Sequence, residues 1–189
     1  MVEIAIADAK ADAPAGMRER TSDRDFVAFC EKRRERALRL AFRLLGGDQA
    51  SAEDVVQSAF LRAHRALARF RGDASLDTWF YRILVNEVQR QRRWSALRRL
   101  FGADPESAPP AVDPRPTGDP GLRRRIATAL EHLSAGQRQA FVLVHLEELT
   151  VNEAAEVLGK AAGTVKSHLH RALTALRAEL ADLAEGDPP

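Results

Sequence analysis

The sequence has one cysteine, few aromatic residues and no long apolar run. The single cysteine, Cys30, excludes an internal disulfide and a zinc site built from cysteines. No apolar run approaches the roughly 20 residues of a membrane span, and the first residues lack the basic start and apolar stretch of a signal peptide. We therefore expect a cytoplasmic protein without a membrane span, in which Cys30 is a buried structural thiol rather than a redox switch.

The sequence also lacks the residue patterns on which enzymes rely. It has no nucleophile-and-base grouping, no phosphate-binding glycine loop and no His-Glu-x-x-His pattern, since His145 is followed by Leu-Glu-Glu. On a helix, His168 and His170 diverge by about 200°, which is too far for them to share a metal ion. We expect no catalytic residue, no metal and no cofactor.

What the sequence does contain is helix-forming residues in two blocks. Aromatic residues make up only 6% of the chain, so the core must consist mainly of leucine, alanine and valine. A proline-rich segment over 102–121 separates two stretches of helical periodicity. We predict an all-α fold of two small helical domains joined by a Pro-rich linker. The predicted parts are a disordered arm over 1–21, a first domain over 22–96, the linker over 97–121, a second domain over 122–183 and a tail over 184–189.

Charge is unevenly distributed along the first block. Six arginines lie between Arg82 and Arg99 with Glu87 as the only acid among them, whereas residues 48–54 contain three acids and no base. A basic stretch suggests a polyanionic partner, and an acidic patch suggests a different, basic one. The alternative is that both are ordinary solvated helix faces, and charge alone does not decide between the two.

The second block has the layout of a helix-turn-helix. A short helix is predicted from Val151 to Leu158, followed by a turn at Gly159 and a longer helix from about Gly163. On the second helix an apolar stripe faces inward. The opposite face offers donors for phosphates and base edges, although a solvated amphipathic helix would look the same. The apolar stripe is Val165, Leu169, Ala172, Leu173, Leu176 and Leu180.

Local signals mark where several helices begin and end. Capping boxes, in which a hydroxyl and an acid or amide three residues later satisfy free backbone donors, are predicted at Ser51, Ser134 and Thr150. Gly159 is placed to end the helix that Thr150 opens.

Three segments resemble the sigma-70 family of bacterial RNA polymerase sigma factors. Residues 51–63 (SAEDVVQSAFLRA) are similar to the helix that binds the polymerase clamp, and residues 70–86 (FRGDASLDTWFYRILVN) to the loop and helix that read and melt the −10 element. Residues 163–172 (GTVKSHLHRA) resemble the helix that reads the −35 element. Their order, with a linker in place of a folded middle domain, resembles the small extracytoplasmic-function members.

The resemblance implies a role for each segment. Glu53, Asp54 and Gln57 would bind the clamp of the largest polymerase subunit, while Val55, Val56, Ala59, Phe60 and Ala63 face inward. The loop over 71–76 and Asn86 would capture unpaired bases of the −10 element, and nearby arginines, Arg92 included, would hold the strand backbone. Trp79 is expected in the core rather than as a stacking platform. The implied −10 residues are Arg71, Gly72, Asp73, Ala74, Ser75, Leu76, Arg82, Asn86, Arg90 and Arg93.

The second domain would be the winged-helix-like helix-turn-helix of sigma region 4, which reads −35 duplex. Two positions depart from the family pattern: His168 stands where arginine is common, and Lys160 occupies a turn position that is usually apolar. The first departure puts the −35 contact set in doubt, and the second loosens the expected packing of the turn. The implied −35 residues are Thr164, Lys166, Ser167, His168, His170 and Arg171.

We therefore interpret the chain as a sigma factor with three kinds of partner. The resemblance implies core RNA polymerase, promoter DNA and an anti-sigma factor. One rival is a free-standing helix-turn-helix regulator, which leaves Asp54, Gln57 and the arginine-rich helix unexplained; binding to duplex promoter without polymerase would favour it. The other rival is an enzyme, which only turnover of a substrate would support.

Overall fold

The computed structural model describes residues 15–70, 74–101 and 120–181. Within these ranges the chain is helical and contains no strand, which confirms the predicted all-α class. No helix of the described part is both long enough and apolar enough to cross a membrane. The chain divides into two compact units, Met1–Glu35 and Arg36–Pro189.

The first helix, α1, spans Ala15–Leu44 and contributes its first part to the first unit. It begins inside the segment predicted as a disordered arm, so that prediction is wrong for 15–21, while residues 1–14 lie outside the described part. Pro14 precedes the helix, and residues 15–20 are mostly good helix formers, which explains the early start. Phe26 is buried and stacks with Phe29 at 6.0 Å between ring centroids. Cys30, predicted to be buried, is half-buried, and this burial, with a smaller contribution from Glu31, raises the pKa of its thiol.

In the second unit, the end of α1 is followed by α2 (Gln49–Ala66), a short 3-10 turn (Leu67–Arg69) and α3 (Leu76–Leu100). Phe60 of α2 stacks on buried Phe80 of α3 at 4.8 Å. The predicted inward face of α2 is confirmed, since four of its five members are buried and Phe60 is half-buried. The buried apolar residues of these helices include Ala37, Leu40, Ala41, Leu44, Val55, Val56, Ala59, Ala63, Leu84, Val85 and Val88.

The start of α2 differs from its prediction. The cap is Asp48, whose carboxylate accepts a hydrogen bond from the Ser51 backbone N–H at 2.9 Å, and the helix begins at Gln49. The capping box predicted at Ser51 is therefore wrong. Gly46 (φ 74°) and Gly47 (φ 87°) have a left-handed backbone and form the turn that directly precedes Asp48. Asp48 is therefore the first residue after the turn that can cap a helix.

The remaining helices are α4 (Pro120–His132), α5 (Ala135–Phe141), α6 (Val151–Leu158) and α7 (Ala162–Glu179), with a π-helical segment (Val142–Leu146) after α5. Both predicted capping boxes, at Ser134 and Thr150, are present. Gly159 adopts the left-handed conformation (φ 62°) that ends α6, so the predicted helix-turn-helix of α6 and α7 is confirmed. A core cluster joins α4 to α7 through Ala129, Leu130, Leu133, Ala172 and Leu176, with Phe141 of α5 and Leu180 packed against it.

The predicted linker is shorter than expected at both ends. Helix α3 continues to Leu100 and α4 begins at Pro120, where proline is tolerated because the first helical turn needs no donor from it. Residues 102–119 and the predicted tail from 184 lie outside the described part. The two helical groups, residues 36–101 and 120–181, also touch directly, because α3 lies against α6.

Candidate nucleic-acid and protein-binding surfaces

The acidic face of α2 is exposed. Asp54, Gln57 and Glu53 all lie on the solvent side of the helix, opposite its buried apolar face. Glu53 accepts a hydrogen bond from the Gln49 side chain at 2.7 Å. Asp54 lies at the edge of a small cleft of about 140 Å³ between α2 and α3, which Trp94 also lines. This surface can receive a basic partner without any rearrangement of the core.

A buried carboxylate connects α2 to α3 beside that cleft. Glu87 is 4% exposed and ion-pairs at 2.7 Å with both Arg62 of α2 and Arg90 of α3. In the sequence, Glu87 is distinguished only as the single acid in an arginine-rich stretch. Nothing nearby in the sequence indicates that Glu87 is buried or that Arg62 is its partner. Its position anchors Arg90, one of the residues implied in −10 binding. Gln91 adds a hydrogen bond from its amide to the Ser51 hydroxyl at 3.1 Å.

The structure brings four of the residues implied in −10 binding onto one side of α3. Arg82, Asn86, Arg90 and Arg93 are spaced four, four and three residues apart, which places them within about 80° around the helix axis. All four are exposed. We call this set the basic face of α3. It presents three guanidinium groups and one amide that both donates and accepts, which are suitable groups for a strand backbone and a base edge.

Arg92 does not belong to that face. It is half-buried, and its Nη1 lies 3.4 Å from the Leu44 carbonyl oxygen in hydrogen-bonding geometry. The structure therefore separates Arg92 from the arginines with which the sequence grouped it.

The start of α3 is organised by local hydrogen bonds. The Ser75 hydroxyl accepts from the Thr78 backbone N–H at 3.0 Å and lies 2.8 Å from the Thr78 hydroxyl, so it caps the helix. Trp79 is half-buried against Phe70, with ring centroids 5.1 Å apart, as its expected structural role requires. This ring contact holds together the two ends of the loop. Ala74 and Leu76 are half-buried, whereas Arg71, Gly72 and Asp73 lie outside the described residues.

Helix α7 presents the predicted donor face. Its apolar stripe turns inward, with Val165, Ala172 and Leu176 buried and the other three members half-buried. The Ser167 hydroxyl donates to the Gly163 carbonyl oxygen at 3.0 Å, so it must give up this bond to donate to DNA, although its oxygen can still accept. Five of the six residues implied in −35 binding are exposed: Thr164, Lys166, Ser167, His170 and Arg171.

His168 is the exception, because its ring rests on the first turn of α5. A Cβ atom added at Gly136 would lie 2.8 Å from His168 Cε1 and 2.9 Å from Nε2, which leaves no room for a side chain there. Sequence reasoning missed Gly136. The available signal was a glycine in the first turn of a short helix, where alanine is the better helix former.

The second departure from the family pattern has a simpler outcome. Lys160 is exposed in the turn after Gly159, and its backbone N–H donates to the Ala155 carbonyl oxygen at 3.0 Å. The expected loosening of the turn does not follow, because the left-handed glycine and this hydrogen bond complete the end of α6 without an apolar side chain.

Comparison with known proteins gives two family matches. Residues 29–98 match Sigma-70 region 2, and residues 123–176 match Sigma-70 region 4. The chain is 33% identical to the RNA polymerase sigma-E factor of Streptomyces avermitilis over 156 residues, which cover 82% of this chain and 85% of that protein. It is 35% identical to the ECF RNA polymerase sigma factor SigM of Mycobacterium tuberculosis, over 80% of this chain and 74% of that protein.

Two solved structures share this fold. One is the sigma factor RpoE in complex with the anti-sigma factor NepR from Bartonella quintana, with a TM-score of 0.69 and 30% identity over 82% of this chain and 96% of that chain. The other is CnrH in complex with the cytosolic domain of CnrY, with a TM-score of 0.60 and 28% identity over 88% of this chain and 91% of that chain.

Proposed function

Because this chain belongs to the sigma-70 family, as a sigma factor of the extracytoplasmic-function type, we propose which of its surfaces carries out each step of transcription initiation. Its function is that of the family. It binds core RNA polymerase, directs the enzyme to promoters with −35 and −10 elements, and promotes DNA melting. The assignment of individual residues and domain boundaries to these steps is our proposal.

The first step is polymerase binding by the acidic face of α2. Asp54 and Gln57 are three residues apart, exposed, and supported from behind by buried valines and alanines. Their position on a rigid helix favours a protein partner of fixed shape, and their charge favours a basic one. We assign Glu53, Asp54 and Gln57 to the clamp of the largest polymerase subunit.

The second step is recognition and melting of the −10 element by the first domain, over 22–96. Extruding a base costs a few kcal/mol, which contacts to the base and to the strand backbone must offset. The basic face of α3 can supply the backbone contacts, and Asn86 on that face can read a base edge. We assign the loop residues 71–76 to the pocket for the extruded base.

The third step is −35 recognition by the second domain, over 122–183. Helix α7 is the second helix of a helix-turn-helix, the element that enters the major groove in this motif. Arg171 can form two hydrogen bonds with the edge of a guanine, and Lys166 and Thr164 can donate to phosphates. Each small domain contacts too few base pairs for strong discrimination, so both elements should be needed together.

The family assignment also supports proposals about the regulation of this chain, its lack of catalysis and its location. RpoE was solved bound to an anti-sigma factor, which supports the proposal that an anti-sigma partner restrains this chain as well. Polymerase makes the phosphodiester bonds, so we propose that the chain itself catalyses no reaction and uses no cofactor. It acts in the cytoplasm, where polymerase and promoters are found.

The observation that carries the proposal is the presence, on one chain, of the acidic face of α2 beside the basic face of α3. Run-off transcription with core polymerase on genomic fragments tests it directly. We expect discrete start sites with the natural chain, and loss of both polymerase binding and transcripts with Asp54→Arg/Gln57→Ala. The matched control is Glu31→Arg, which reverses an exposed acid on α1 and should retain transcription.

A different outcome would favour the rival function. If core polymerase neither binds the chain nor initiates with it, while the chain alone binds specific duplex DNA, the free-standing regulator is the better description.

A further inference from the structure

Four large apolar side chains are exposed at the end of α3. The exposed fractions are 57% for Trp94, 43% for Leu97, 82% for Leu100 and 77% for Phe101. The helix ends at Leu100, and the Phe101 backbone N–H donates to the Leu97 carbonyl oxygen at 3.2 Å, so Phe101 continues the last turn. We call these four residues the apolar end of α3. Apolar side chains that are exposed together mark a binding surface, because water solvates them poorly.

The apolar end continues the basic face of α3 along the helix. At about 100° per residue, Leu97 and Leu100 lie within the sector of the basic face, and Trp94 and Phe101 lie within about 40° of its edge at Arg90. The helix rises about 1.5 Å per residue, so Trp94 and Phe101 are about 10 Å apart along its axis. A ligand that follows the basic face therefore reaches these side chains next.

Two arginines lie one turn before and one turn after Trp94. Arg90 and Arg98 are each four residues from Trp94, so the three side chains are neighbours along one side of the helix. Arg90 is held by the buried carboxylate of Glu87 at 2.7 Å, and Arg98 Nη2 donates to the Ser95 hydroxyl at 3.3 Å. The exposed indole thus lies between two guanidinium groups whose positions are fixed by hydrogen bonds. This alternation suits a chain in which phosphates alternate with flat rings.

The charge of this segment selects among the possible occupants. Residues 88–101 contain five arginines and no acid, so a second copy placed on the same surface would oppose arginine to arginine. Residues 102–119 contain four acids but no aromatic ring, so they match the arginines without supplying a ring that could stack on Trp94 or Phe101. A nucleic-acid strand supplies both the phosphates and the flat bases.

We propose that the apolar end of α3 is a stacking site for unpaired bases that lie outside the proposed −10 pocket. The inference rests on the proposed function, because melting of the −10 element is the step that brings unpaired bases to α3. From Leu76 to Trp94 the helix rises about 27 Å, so the stacked bases lie several nucleotides from the extruded base. The axial separation of Trp94 and Phe101 is about three times the 3.4 Å spacing of stacked bases, so the site spans about three bases.

Tryptophan fluorescence of the free chain tests the site without polymerase. The chain has two tryptophans, of which Trp79 is half-buried against Phe70, so a stacked base should quench mainly Trp94. At low salt, a strand of about twelve thymidines should quench the natural chain, whereas an abasic strand of the same length should not. Trp94→Leu keeps an apolar side chain without a ring and should lose the quenching.

The complex with core polymerase measures what the site contributes. A single-stranded −10 oligonucleotide with unpaired thymidines on both sides should bind about tenfold more tightly than the same strand with abasic flanks, as expected for one stacked base. Trp94→Leu/Phe101→Leu should abolish this advantage and leave binding of the abasic-flanked strand unchanged. Trp94→Phe alone should keep most of the advantage, because a ring face remains.

The matched control is Val27→Ala, which alters an apolar side chain of α1 with a similar exposure of 55%. It should keep both the fluorescence quenching and the advantage of the thymidine flanks. Equal affinity for the two flanked strands, or an advantage that Trp94→Leu/Phe101→Leu retains, would refute the stacking site.

A protein is the alternative occupant, since Trp94 also lines the cleft beside Asp54. If Trp94→Leu/Phe101→Leu weakens polymerase binding in the absence of DNA, or converts a dimer of this chain into a monomer, a protein covers the apolar end and the proposal is wrong.

Failure of the stacking site and failure of the proposed function give different results. A polymerase complex that binds the −10 strand without any advantage from thymidine flanks would refute the site and leave the −10 assignment intact. A free chain that shows Trp94 quenching but never binds the −10 strand with polymerase would retain the stacking site and refute that assignment.

Discussion

The buried carboxylate of Glu87 offers a test of whether the basic face of α3 is organised from within. Glu87 is 4% exposed, and its partners Arg62 and Arg90 lie at 2.7 Å with side chains that are 51% and 46% exposed. A hydrogen bond to a charged group contributes about 1.5–3 kcal/mol, but half-exposed arginines regain much of their hydration on release. Glutamine keeps one acceptor oxygen. We therefore expect Glu87→Gln to lower the free energy of unfolding by about 1–2 kcal/mol.

Urea unfolding followed by circular dichroism measures this change. The control is Glu156→Gln, which alters an exposed glutamate on α6 and should stay within about 0.5 kcal/mol of the natural chain. Glu87→Gln also removes the ion pair that positions Arg90. Polymerase bound to this variant should therefore bind single-stranded −10 DNA more weakly. Stability equal to that of the control, together with unchanged −10 binding, would refute the idea that Glu87 organises this surface.

Two further predictions concern the second domain. Gly136→Ala should displace the imidazole of His168 and change the −35 base preference in the same way as His168→Ala, and the double variant should show no further change. A library of −35 sequences selected by transcription measures the base preference. Additive effects of the two substitutions would contradict the prediction. Hydrogen bonds from the Thr150 hydroxyl and backbone lower the pKa of Glu153 below its ordinary value of 4.5. The cap of α6 is therefore complete above pH 4.5 and is lost as the pH falls through the lowered pKa. Amide exchange at the start of α6 should accelerate over that acid range in the natural chain and not in Glu153→Gln, and equal pH profiles for the two would show that the cap is not titrating.

Features that depend on neighbours in the sequence were predictable. The capping boxes at Ser134 and Thr150, the left-handed end at Gly159 and the inward stripe of α7 each depend on residues a few positions apart. The same holds for the inward face of α2. These signals, with the three motif segments, were enough for the all-α class, the helix-turn-helix and the family. The individual binding residues stay predictions, although the structure exposes most of those it describes.

Errors arose where two local signals competed and where helix propensity was not accompanied by an apolar stripe. Ser51 and Asp48 are both good capping residues, and the glycine turn at Gly46 and Gly47 decided in favour of the earlier one. The start of α1 at Ala15 was missed because the segment has no apolar periodicity, even though its residues favour helix. Propensity without a buried face is a weak sequence signal.

The sequence by itself determined where helices form, which faces are apolar and which family the chain resembles, because those properties repeat every three or four residues. Only the tertiary structure decided that Glu87 pairs with Arg62, that His168 rests on Gly136, and that the Glu147 carboxylate accepts hydrogen bonds from Arg36 and Tyr81. These partners are between 25 and 111 residues apart in the chain. A buried charge is stabilised by whatever donors the fold brings to it, and helical periodicity contains no information about which distant donors those will be.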